Sequence, residues 1–138
     1  MKMIDHDIAA RSAALYANGE AKLEAAKKCT GSRKMYRDCA EMSYYAILYG
    51  IKSALAVDDA LPENQDEAFQ IFKEFHVGTE TFPEECWLRL RAVKALHETC
   101  LDDMSYEPVA EEVTESVESA EYMLLLTNMF LNGRGVAV

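Results

Sequence analysis

Arg91 and His97 stand six positions apart in the stretch Arg91-Ala92-Val93-Lys94-Ala95-Leu96-His97. An imidazole can take or give a proton at a ribose 2′-hydroxyl or at a leaving oxygen, and a guanidinium can hold the phosphate charge. Together such groups would cleave RNA without a metal. The spacing alone is weak support: with three His and six Arg in 138 residues, about 0.4 such pairs arise by chance. A helix turns about 100° per residue, so six positions set His97 about 120° around the axis from Arg91. One subunit would not aim both at one phosphate, and cleavage would require a dimer cleft.

Two other groups of residues are candidates for binding. Tyr44 and Tyr45 are adjacent aromatics that would stack a nucleobase or line a partner groove; the commoner reading is two rings packed between helices. Lys27, Lys28, Arg33, Lys34 and Arg37 form a basic patch suited to RNA, a nucleotide or an acidic partner, unless they only solvate a helix junction. Metal chemistry finds no pattern. A di-iron bundle needs inward Glu-x-x-His pairs, yet Met3, Lys73 and Lys94 stand three residues before the three histidines. The four cysteines, Cys29, Cys39, Cys86 and Cys100, include no CxxC pair, which disfavours zinc. No glycine-rich phosphate loop opens a helix. No cofactor is therefore expected.

The charge distribution narrows the partners. The net charge is −10, yet residues 1–37 hold eight bases against four acids. From Ala95 to Gly133 there is no Lys or Arg, while nine carboxylates run from Glu98 to Glu121. Such a field repels polyanions, so duplex DNA is an improbable ligand. No apolar stretch approaches the roughly 20 residues of a membrane span. The opening Met1-Lys2-Met3-Ile4-Asp5-His6-Asp7 puts acids where a secretory leader needs an apolar core, and a cytoplasmic location with reduced thiols is expected.

These residues need elements to carry them. Half the residues are apolar and 28% are charged, the balance of one ordinary domain. Ala, Leu, Glu, Lys, Met and Arg fill the stretches between a few Gly, Pro and Asp breaks, which favours helix. A first helix is expected over 5–29. A second, capped by Ser32, should run to Val57, and a short third over 64–75 should turn Ala68, Ile71, Phe72 and Phe75 inward. The fourth begins at Pro83, with Trp87, Leu90, Val93, His97, Cys100 and Met104 on one face. The fifth follows Pro108, with Val113, Val117, Ala120, Leu124, Thr127 and Leu131 along its seam, and Gly133 ends it. The fold class is all-α: an up-and-down bundle of four long helices plus a short one, over residues 1–132, with a flexible tail at 133–138.

The segment Cys39-Ala40-Glu41-Met42-Ser43-Tyr44-Tyr45-Ala46-Ile47-Leu48-Tyr49-Gly50-Ile51-Lys52-Ser53-Ala54-Leu55 resembles the second helix of HEPN domains, in which Ser-Tyr-Tyr-Ala leads into a helix ending in Ala-Leu. Phe69 to Val77 is similar to their short third helix, and Pro83–Tyr106 and Glu111–Leu131 to their last two. The likeness covers about residues 36–131. It implies a helical bundle that dimerises, often beside a minimal nucleotidyltransferase, in toxin–antitoxin or stress systems. Some relatives cleave RNA through an Arg-x4–6-His motif, which would fall on Arg91 and His97; others bind nucleotides or only scaffold. That motif usually sets a polar residue after the arginine, where this chain has Ala92. The expectation is thus an accessory protein, homodimeric through an apolar face shared by the second and fifth helices. The rival expectation is a metal-independent ribonuclease. A third is a small-ligand sensor with a pocket between helices.

Overall fold

The computed structural model describes residues 4–138, so Met1 to Met3, where the leader expectation begins, lie outside the described residues. Five α-helices account for the architecture: α1 His6–Cys29, α2 Tyr36–Val57, α3 Gln65–Phe72, α4 Glu84–Asp102 and α5 Ala110–Gly133. A 3-10 turn, Arg33–Met35, precedes α2, and a π turn, Lys73–Val77, follows α3. No strand occurs among the described residues. The chain is an all-helical bundle of four long rods and one short one.

Asp5 starts α1: its carboxylate accepts from the Asp7 and Ile8 amides at 2.8 and 3.2 Å, satisfying donors that a first turn leaves free. The helix buries Ser12, Tyr16, Gly19, Leu23, Ala26 and Cys29, a repeat of three and four that keeps one face on α2. Ser12 Oγ donates to the Ser53 carbonyl at 2.8 Å, and Cys39 Sγ to the Ala26 carbonyl at 3.3 Å. Those crossings, early with late and late with early, make α1 and α2 antiparallel. Fourteen of the 22 residues of α2 are buried, so α2 is the central rod. Its apolar face is covered within the chain by α1, α4 and α5, while Leu125 and Met129 on the outer side of α5 remain exposed.

Small residues set how closely the rods approach. A Cβ on Gly19 would stand 3.1 Å from Leu124 Cδ2 and 3.2 Å from the Ala46 carbonyl oxygen. A Cβ on Gly50 would stand 3.1 Å from the same leucine methyl. Leu124 therefore fills the space that two glycines leave where α1, α2 and α5 meet, packing density that an added methyl would overload.

Five local expectations change. Ser32 has extended backbone but makes no capping bond through its side chain, and the 3-10 turn intervenes before α2. Asn64 caps α3 by accepting from the Asp66 and Glu67 amides. The α-helix stops at Phe72, and the wider π turn then shifts the register, so His76 points inward while Phe75 is 60% exposed. Met104 lies beyond the end of α4 at 79% exposure instead of on its buried face. At the C-terminus, the segment expected to be a flexible tail is docked. Val136 is 1% exposed, its amide donates to the Leu131 carbonyl at 2.9 Å, and Arg134 pairs with Asp58 at the end of α2. The left-handed residue is Gly135, with φ 88°, instead of Gly133.

Candidate functional site

α4 distributes the candidate residues over two sides. His97 is buried and faces α2, where its ring stacks on Tyr44 with centroids 4.2 Å apart and planes 13° apart. Tyr45 meets the same imidazole edge-on at 5.8 Å and Tyr44 at 5.2 Å, and Phe69 closes on Tyr44 at 6.0 Å. The Tyr44 hydroxyl donates to Gln65 Oε1 at 3.3 Å. Burial pushes the His97 pKa below its usual value, with Glu41 and Glu98 opposing weakly, and pushes the Tyr44 hydroxyl up to about 12. The tyrosine pair is thus a packed aromatic cluster around a neutral-leaning histidine.

Arg91 is on the other side. It is exposed and lines a cleft of about 390 Å³ between α3 and α4, together with Asp66, Phe69, Trp87, Lys94 and Glu98. His97 is not among the lining residues. The helical rotation anticipated from the spacing therefore separates the pair, and no shared phosphate site forms within one chain. Arg89 and Lys94 on the same helix are paired with Glu85 at 3.2 Å and Glu98 at 2.6 Å. Arg91 makes no ion pair with any described residue.

The basic junction between α1 and α2 is largely occupied by its own chain. Lys27 reaches Glu24 at 3.5 Å and Glu121 at 3.9 Å, and Arg33 reaches Glu107 at 3.5 Å. The Arg37 guanidinium donates to the carbonyls of Cys100 and Tyr106, and at 3.5 Å to that of Asp103. It caps the C-terminal end of α4, where free carbonyls carry partial negative charge. Arg37 therefore caps the end of α4, with its guanidinium committed to the chain's own carbonyls. Lys28 and Lys34 remain exposed with no pair among the described residues.

Trp87, Phe69, Asp66, Lys94 and Glu98 were not singled out by their chemistry. A signal existed: Trp87, Arg91, Lys94 and Glu98 recur at four, three and four positions, a second stripe beside the core stripe of α4. On α3, Asp66 and Phe69 stand three apart, and they meet the α4 stripe only where the fold brings the two helices to one cleft.

Among the described residues no group of three His, Cys, Asp or Glu side chains is placed to hold a metal ion. All four cysteines are free and buried. No described helix is long and apolar enough to cross a membrane. No protein-family model, curated protein or solved structure matches the chain.

Proposed function

We propose that the chain is a HEPN-like accessory protein of the cytoplasm, binding a nucleotidyltransferase-type protein and acting beside RNA or nucleotides in a toxin–antitoxin or stress system, as a homodimer. One observation carries the choice of binding over cleavage. His97 is sealed under Tyr44 and Tyr45, 6% exposed, while Arg91 opens on a different surface. A general acid–base group must come within hydrogen-bond reach of the proton it moves. Supplying Arg91 from a second copy would not uncover His97.

The junction supports the same reading, since Lys27 and Arg33 are paired with carboxylates and Arg37 is committed to carbonyls, which leaves Lys28 and Lys34 to hold a polyanion against a net charge of −10. Co-expression with a nucleotidyltransferase-type protein from the neighbouring reading frame tests the proposal, and the lack of such a frame counts against it. A stable complex is expected, with the free chain running at about twice its 15.5 kDa mass in light scattering. No complex at micromolar concentration overturns the partner assignment. RNA cleavage in chelator, lost in both Arg91→Ala and His97→Ala with folding intact, would replace it with the ribonuclease.

A further inference from the structure

The cleft between α3 and α4 has a floor, a wall and an unspent charge. Leu90 and Phe69, at 1% and 4% exposure, form its floor, and Ala95 keeps its rim low. Trp87 stands at one end as a partition, lining both this cleft and a neighbouring one that contains Lys73. Lys73 Nζ lies 5.2 Å from the centre of the Trp87 ring, and Lys73 borders only the neighbouring cleft. Lys94 is spent on Glu98 and also lies over Phe69 at 5.8 Å. The guanidinium of Arg91, one helical turn beyond Trp87, is left as the cation without an ion partner.

From this arrangement we propose that the cleft binds a small flat-ringed molecule carrying one acidic group. The ring lies against Trp87, beside the Lys94 side chain that covers Phe69, and the acid takes the Arg91 guanidinium, whose planar fork matches a carboxylate or phosphate. The volume of about 390 Å³ is within the usual range of roughly 300–1,000 Å³ for ligand sites. Asp66 and Glu98, at the end away from Trp87, accept hydrogen bonds from ring N–H or hydroxyl groups and disfavour a second negative charge there. The shared chemistry has two sources, an aromatic carboxylate and a nucleoside monophosphate. The inference rests on reading the chain as a binding protein, but not on which protein it binds.

Calorimetric titration of the full chain with four probes tests it: indole-3-acetate, AMP, the uncharged adenosine, and cyclohexylacetate, which is charged but not flat. Saturable binding of indole-3-acetate or AMP is expected, and whichever binds more tightly identifies the source. Adenosine and cyclohexylacetate should bind about tenfold more weakly or worse. Arg91→Ala should weaken the acid by about tenfold or more, because a charge-assisted pair is lost. Ala95→Phe, at an exposed position, should block the cleft without touching the core. If neither acid binds the folded protein at millimolar concentration, or binding is the same in both variants, or cyclohexylacetate binds equally well, the assignment is wrong. A silent cleft would leave the complex with the nucleotidyltransferase-type partner standing, and a missing complex would leave ligand binding standing.

Discussion

Replacing His97 with phenylalanine separates a packing role from a catalytic one. The imidazole lies flat on Tyr44 at 4.2 Å, is 6% exposed, and titrates below its usual value because burial penalises the cation. In the unfolded chain the same group takes its proton near pH 6.5. Between that value and the lowered one, the unfolded state holds more protons, so stability falls as pH drops through the window and levels off below it. Each such histidine contributes a slope of at most about 1.4 kcal/mol per pH unit. His76 behaves in the same direction: it is 5% exposed among Phe72, Phe82 and Phe130, and burial lowers its pKa, Asp58 opposing and Arg134 assisting. The wild type should therefore lose stability through two groups as pH falls below about 6.5, and His97→Phe through one. At pH 7.5, the phenylalanine ring refills the slot and should cost no more than about 1.5 kcal/mol. His97→Ala leaves a cavity and should cost about 2–4 kcal/mol. Urea melts followed by circular dichroism at pH 7.5, 6.5 and 5.5 read both quantities. If His97→Phe keeps the full acid dependence of the wild type, His97 is not the neutral packed ring described here.

Other substitutions test the cap, the close approach and the docked end. Arg37→Ala should lower stability by about 2–3 kcal/mol, since carbonyls at the end of α4 lose a charged donor; Arg37→Lys should recover only part, and loss below about 0.5 kcal/mol in urea melts would refute the capping role. Gly50→Ala should cost about 1–3 kcal/mol. Gly19→Ala should cost more in the same melts, because its methyl meets backbone oxygen as well as a mobile leucine methyl, and equal or reversed costs would contradict the packing argument. Val136→Asp should destabilise by about 1.5–3 kcal/mol and speed proteolysis after Leu131, whereas a free tail would tolerate it without change.

The rods were legible because burial repeats with the helical period. Val113, Val117, Ala120, Leu124, Thr127 and Leu131 were read as one seam, and all six are buried. The failures have physical reasons. A π turn adds a residue to one turn and leaves no mark in hydrophobic spacing, so Phe75, expected inward, is exposed and His76 is buried. Arg37 reaches carbonyls 63, 66 and 69 residues away, a use that no local pattern of charge reveals. The α3–α4 cleft was equally hidden, because it depends on how two non-core stripes face one another. Val136 was read as tail because a lone apolar residue after two glycines has no period to judge it by.

The charge asymmetry that first suggested an RNA surface has another origin. The α1–α2 junction and the α4–α5 junction lie together, joined by Arg33–Glu107 and the Arg37 cap, while Lys27 reaches Glu121 in the middle of α5. The bases are at that end because the acids and the carbonyl end of α4 are there. The exposed Arg33–Glu107 pair, with side chains 81% and 77% open, adds little stability by itself. Arg37 binds more firmly, since its partners are part-buried carbonyls with no other donor to replace it. A cation committed in this way is unavailable to a phosphate unless the helix end is uncapped. Arg91 carries no such commitment, so a ligand anion that engages it need break no existing ion pair. Lys28 and Lys34 are equally unpaired, but Arg91 alone of the three opens on the cleft lined by Trp87 and Phe69, and the proposed acid site rests on that combination.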